Sequence, residues 1–193
     1  WLSDLDEDYF STEMWHEVQA QHDGLIYKDV GFVETPEDLV ISGPHFFVGT
    51  PLFKTPRRIV RHNQDYDSIA IDSIPDDYLP RTIFHPREDS EEYLRRSPRV
   101  SWVESGEPKV RLATDYYRLI TRRRISPPME RTLIPSVATI GSAHIGGCFT
   151  IAFRTQNLLA SNFLFYSSIL CDFYIKSTGK GDFRNDLADR LPC

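Results

Sequence analysis

Cysteine is scarce in this chain: Cys148, Cys171 and Cys193 are odd in number and never stand in C-x-x-C spacing. That suggests neither a disulfide framework nor a zinc site, so a reducing, cytoplasmic setting is the expectation. Long apolar runs are also lacking. The longest candidate, Leu158 to Ile175, is broken by Ser161, Asn162, Ser167, Ser168 and Asp172, short of the roughly 18 to 20 residues that a membrane span needs. No membrane role is expected. The opening residues Trp1-Leu2-Ser3-Asp4-Leu5-Asp6-Glu7-Asp8 have neither the basic nor the apolar region of a signal peptide, and they hold no initiator Met, which reads as a piece of a longer protein.

Several catalytic and cofactor patterns are missing in turn. Gly179-Lys180-Gly181 has neither the upstream Gly nor the following hydroxyl of a phosphate loop, and Gly141-Ser142-Ala143-His144-Ile145-Gly146-Gly147 lacks the G-x-G-x-x-G order and reads as a turn. His16-Glu17 is followed by Ala20 where a zinc helix needs a second His. Ser126-Pro127-Pro128-Met129 has the outline of a base-flipping N-P-P-aromatic loop, but Met stands in place of the aromatic and three arginines precede it. It reads as a turn. His45 and His144 lie in apolar, Gly-rich contexts that suit core or turn histidines better than an acid–base pair, although a hydrolase or transferase using either is the enzyme alternative. No metal or cofactor is expected in this chain.

What is present is an uneven distribution of charge. The formal net charge is −6. Residues 1 to 38 hold eleven Asp/Glu and one Lys, a sum of −10, so the remainder carries +4. From Lys109 to Arg131 there are seven Lys/Arg against two Asp/Glu. A nucleic-acid surface hides readily in such an acidic average. The block Tyr116 to Pro135 sets Arg118, Arg122, Arg123, Arg124 and Arg131 around two β-rich apolar segments, and guanidinium groups bind phosphates and guanine edges bidentately. Lys54, Arg57 and Arg58, with Arg61, form a second cluster; Lys176, Ser177 and Lys180 form a third, in a flexible Gly-containing segment. Both suit phosphate contact. The competing reading is a solvated basic face, or ion pairs with the acidic residues 1 to 38.

Periodicity predicts an α+β fold: a mixed sheet of short strands, a long C-terminal apolar helix and an acidic helical lead-in. The lead-in covers residues 1–41, with a helix over 12–22 capped by Ser11 and ended near Gly24. The rest, residues 42–193, forms the main domain. Strands are predicted at Leu39–Ser42, His45–Val48, Ile69–Ile74, Val100–Val103, Tyr116–Arg124, Thr132–Ile140 and Ile145–Phe153. Helices are predicted at Glu88–Arg96 and Asn157–Lys176, the latter capped by Asn157, carrying a wide apolar face, and stopped by Gly179 and Gly181.

Three blocks carry a resemblance. Ser42-Gly43-Pro44-His45-Phe46-Phe47-Val48-Gly49-Thr50-Pro51 with Lys54-Thr55-Pro56-Arg57 is the first; Tyr117-Arg118-Leu119 through Glu130-Arg131-Thr132-Leu133-Ile134-Pro135 is the second; Asp172-Phe173-Tyr174-Ile175-Lys176-Ser177-Thr178-Gly179 is the third. Residues 42 to 192 thereby resemble the C-terminal, TaqI-like target-recognition region of bacterial adenine-N6 DNA methyltransferases of fused restriction–modification or phage-defence type. The resemblance implies a non-catalytic module that grips double-stranded DNA, beside a catalytic methyltransferase domain of the same polypeptide that binds S-adenosylmethionine and flips an adenine. It also implies Arg118, Arg122, Arg131, Lys176, Ser177 and Lys180 as DNA contacts, with Arg131 alternatively a strut to Glu130 or Asp172. A protein–protein docking module of a multidomain bacterial protein is the competing class.

Overall fold

In Arg118–Arg122 and Cys148–Phe153 residues of both parities are buried, a pattern that demands cover on both faces of a sheet. The computed structural model, which describes residues 1–46, 54–62, 64–87 and 91–192, supplies that cover. Its strands and helices run in the order β1 (Tyr9–Thr12), α1 (Glu17–His22), β2 (Ile26–Gly31), β3 (Val40–Ile41), β4 (Lys54–Pro56), β5 (Tyr66–Ser68), β6 (Thr82–Pro86), α2 (Glu91–Arg96), β7 (Arg118–Arg122), β8 (Pro135–Ala138), β9 (Ala143–His144), β10 (Cys148–Phe153), α3 (Gln156–Tyr166), α4 (Ile169–Thr178) and α5 (Asn185–Ala188). The fold is α+β.

The main sheet has the order β1-β10-β7-β8 and is antiparallel throughout, with Ile151 opposite Leu119 and Ile120 opposite Ser136. Three two-stranded pairs accompany it among the described residues: β2-β6 and β4-β5, both antiparallel, and β3-β9, which is parallel. One face of the main sheet packs Leu119, Phe149, Ile151 and Phe153 against helical residues such as Leu159, Tyr166, Ile175, Phe183 and Leu187. The other face packs Ile120 and Cys148 against Leu39, Ile41 and Phe46, and Ala152 against Val100 and Trp102. Each fully buried Leu, Ile or Phe contributes about 1.5–3 kcal/mol, so the sandwiched sheet is the principal source of stability.

The structure corrects the lead-in. Residues 1–41 are not a separate helical unit: Leu2 is fully buried in the same cluster as Leu187 and Leu191, its N–H donates to Leu191 O at 2.7 Å, and Tyr9–Thr12 is the edge strand on β10. The boundary at 41/42 would cut through the β1–β10 and β3–β9 pairings. The helix expected over 12–22 is only α1, because Met14 and Trp15 are drawn into a core with Leu25, Val40 and Tyr93. His16, not Ser11, caps it, accepting from Gln19 N at 3.4 Å.

The long C-terminal helix is also two helices. Ser168 accepts from Cys171 N at 3.1 Å and starts α4 afresh, so the chain bends by 68° between α3 and α4. The N-cap of α3 is Thr155, one position before the helix, and not Asn157. Gly179, at φ +66°, closes α4 as expected. Among the described residues no single helix is long and apolar enough to cross a membrane.

The smaller strand expectations fare unevenly. Ile69–Ile74 is irregular, with Ile71 and Ile74 exposed, and Val100–Val103 is irregular, the isolated bridge to Leu112 falling just before it at Arg99. Gly43–His45 is a 3-10 turn, while Phe47 and Val48 of that expected strand lie outside the described residues, as does the Glu88–Ser90 start of the expected helix before α2.

Candidate nucleic-acid interface

The strand β7 fixes where the arginine block points. Arg118 starts it and is 1 % exposed: its guanidinium donates to Ser142 O and, at 3.2 Å, to Ser142 Oγ, and lies 3.5 Å from Met14 Sδ. Burial lowers its pKa to about 10. Both faces of β7 are covered, so Arg118 props the β8–β9 turn and is removed from any DNA-facing surface.

Arg131 and Lys176 are also drawn into the fold. Asp172, almost fully buried on α4, accepts hydrogen bonds from Thr132 N at 2.8 Å and Leu133 N at 2.9 Å. Around it, Arg131 Nε lies 3.6 Å away and Lys176 Nζ 3.7 Å away. Arg131 donates to Ser167 O at 2.9 Å and Lys176 to Glu130 O at 3.0 Å. The blocks Glu130–Leu133 and Asp172–Lys176, 40 residues apart in sequence, are thus one electrostatic knot. Charge-assisted hydrogen bonds of this kind are the strong ones, and these two cations hold the chain together before they hold anything else.

The remaining cations are nearer the surface. Arg57 bonds Asp67 at 2.9 Å across the β4–β5 pair, and Lys180 pairs with Asp186 at 2.9 Å. Ser177 donates to Tyr174 O at 2.6 Å. Arg58 is exposed in the turn after β4 and has no ion pair among the described residues. Arg123 donates to Glu13 at 2.9 Å, and Arg184 approaches the other oxygen of the same carboxylate at 3.3 Å. Arg124 is exposed, 3.8 Å from Asp182. Arg122 has neither an ion pair nor a side-chain hydrogen bond among the described residues.

Arg122, Arg123 and Arg124 lie around the β9–β10 turn. Gly147 and Gly43 approach so closely that a Cβ on Gly147 would sit 3.1 Å from Gly43 N, while Gly147 O accepts from Arg123 N at 3.0 Å. On one side of this turn a cleft of about 440 Å³ is lined by Lys54, Arg122, Arg124, Glu17, Pro44 and Ile145. On the other side a cleft of about 380 Å³ is lined by Glu13, Trp15, His16, Glu17 and Arg123. Lys54 from the second cluster and Arg122 and Arg124 from the first are therefore brought together; Lys176, Ser177 and Lys180 do not line either cleft. Glu13, Glu17 and Arg184 were not singled out in the sequence, where no spacing distinguishes them from other surface charges.

His45 and His144 are spent inside the fold. His45 Nε2 donates to Arg81 O at 3.0 Å, which leaves Nδ1 to accept from Ser42 N at 3.0 Å, with Ser42 Oγ in turn 3.1 Å from Tyr66 OH. His144 Nδ1 donates to Ile145 O at 3.1 Å and Nε2 accepts from Thr150 Oγ1 at 3.0 Å. Both are fully buried, and burial lowers both pKa values, that of His144 to about 3. Burial likewise pushes the Cys171 thiol up to about 12 and the Cys148 thiol upward, so neither is an activated nucleophile. Among the described residues no group of three His, Cys, Asp or Glu is placed to hold a metal ion. No family model, curated protein or solved structure matches the chain.

Proposed function

We propose that the chain is a DNA target-recognition module of an adenine-N6 DNA methyltransferase of restriction–modification or phage-defence type, non-catalytic by itself. The observation that carries this reading is the convergence of Lys54, Arg122 and Arg124 on one cleft, from β4, the end of β7 and the residues just after it. The resemblance supports it from a different side, since its Glu130–Leu133 and Asp172–Lys176 blocks meet in one knot. In this reading S-adenosylmethionine and the base-flipping chemistry belong to the catalytic domain of the same polypeptide. The fold-embedded Arg118, Arg131 and Lys176 set the scaffold, and the rim cations meet the phosphates.

Binding of a mixed-sequence DNA duplex, followed by fluorescence anisotropy across a salt series, tests the reading. Lys54→Gln combined with Arg124→Gln is expected to weaken binding to every sequence and to lower the slope of log K against log salt by about 1.8, at roughly 0.9 per lost phosphate contact. Wild-type binding that is absent, or that keeps its slope in the double variant, would overturn it. Charge substitutions are the right probe, because deleting residues 1–38 would remove β1 and Leu2 from the core.

One observation favours the docking reading as a second function. At the α3–α4 bend Leu164, Ile169, Leu170 and Phe173 are each 70 % exposed or more, a cluster of large apolar side chains of the kind that marks contact surfaces. Ile169→Ser with Phe173→Ser is expected to reduce binding of a hydrophobic dye while shifting the melting temperature by no more than about 2–4 °C, as for surface positions. A larger drop would make this corner part of the core.

A further inference from the structure

The cleft beside Gly147 holds two opposite charges that do not pair. Arg122 and Glu17 both line it. Yet neither side chain has an ion pair or hydrogen bond among the described residues, and so they stand more than 4 Å apart, in contrast to the closed pairs of Glu13 with Arg123 and Asp172 with Lys176. The rest of the lining is Pro44, Phe46 and Ile145, the bare backbone of Gly43 and Gly147, and the basic Lys54 and Arg124. A volume of about 440 Å³ is within the range of a small-ligand site, and its lining is more polar than apolar, with one carboxylate among three cations. A carboxylate at such a place repels a bare phosphate, so the site is suited to more than backbone contact.

We propose that this cleft binds a single unpaired guanine nucleotide. Guanine alone among the DNA bases offers two adjacent acceptors, O6 and N7, to a guanidinium fork, and two adjacent donors, N1–H and N2–H, to a carboxylate. Arg122 takes the first edge and Glu17 the second. Adenine offers a carboxylate only its N6 amino group, and cytosine and thymine have no O6/N7 pair. In a base-paired guanine N1–H is covered by the partner base, so the ligand is free or has left the stack, which also suits a concave site better than the floor of a groove. The other two basic groups that line the cleft, Lys54 and Arg124, take the sugar–phosphate. Free nucleotide and extruded nucleotide share this chemistry. The proposal goes beyond the DNA-recognition reading and does not need it.

The test is a titration of the full chain with dGMP, dAMP, dCMP and dTMP by NMR or calorimetry, alongside duplexes carrying one bulged dG or one bulged dA. A preference for dGMP over dAMP of at least about tenfold is expected, the value of one good bidentate contact. Arg122→Lys, which keeps the charge and loses the fork, and Glu17→Gln are each expected to remove most of that preference with the melting temperature unchanged. Stronger binding of the bulged dG duplex than of dGMP would identify the source as DNA; the reverse would identify the free nucleotide. Equal binding of the four nucleotides, no nucleotide or bulge binding at all, or a preference intact in both variants would overturn the proposal. The fully paired duplex of the preceding experiment reports separately on phosphate contact, so either reading can fail while the other stands.

Discussion

Lowering the pH from 7 to 5 is expected to remove about 2 kcal/mol of stability through His144 alone, with His45 adding to the loss in the same direction. Both imidazoles are buried and neutral, and each uses an unprotonated nitrogen as an acceptor: His144 toward Thr150 Oγ1, His45 toward Ser42 N. A proton on that nitrogen would set donor against donor in the case of His45 and charge a buried ring in both. In the unfolded chain the same rings protonate near pH 6.5. The unfolded state therefore binds more protons below that value, and stability, fully present above it, falls as the pH drops, by up to about 1.4 kcal/mol per pH unit per histidine. Against a total of about 5–15 kcal/mol for a folded domain, this is a large fraction. Urea midpoints by circular dichroism at pH 7, 6 and 5 measure it. The carboxylates whose pKa is held low by hydrogen-bonded partners, such as Asp23 beside Arg96, begin to act only as the pH falls to about 5, so the loss between 6.5 and 5 is chiefly that of histidine. His144→Gln is expected to flatten the curve there by the His144 share. A wild-type curve that is level from pH 7 to 5 would mean the rings reach solvent.

Asp172→Ala is expected to cost about 3–5 kcal/mol, as for removal of one member of a buried charged cluster. The loss has two parts. Thr132 N–H and Leu133 N–H lose their acceptor in the interior, and Arg131 and Lys176 keep their charges beside a cavity with no carboxylate. Equilibrium urea unfolding of Asp172→Ala against wild type reads the difference, with Arg122→Lys as a surface control that should unfold at the wild-type midpoint. A cost below about 1 kcal/mol would show that Asp172 is hydrated and that the two blocks are joined by apolar packing. Arg131, Thr132 and Leu133 lie about 40 residues before Asp172 and Lys176, so the result also measures how strongly these two distant segments are joined.

Much of the central sheet was legible. The runs over Tyr116–Arg124, Thr132–Ile140 and Ile145–Phe153 contain β7, β8 and β10, because continuous apolar and β-branched residues leave little else for them to form. Tyr9–Thr12 is not legible as a strand, because four residues within an acidic stretch carry no period; its pairing with β10 makes it one. The helical break at Ser167–Ser168 was written as two hydroxyl residues in an otherwise apolar run, and the α-helical spacing around it favours one helix until Ser168 is seen to cap. For the site the limit is burial. Arg118 and Arg122 share one strand and one parity, yet the first is sealed beneath Ser142 and the second lines a cleft; which end of a covered strand reaches solvent is decided by segments far away in sequence. The knot around Asp172 and the placing of Glu17 and Arg122 on one cleft are long-range in the same way.

The hydrogen bond from Leu2 to Leu191, set beside the shared burial of both side chains, gives the molecule the topology of a closed loop. A polypeptide continuing beyond these two residues would leave from one corner in both directions. Its flanking parts would then remain as close together as if nearly the whole chain were absent, so the unit can ride as an insertion that adds surface to a host without lengthening the host's own path.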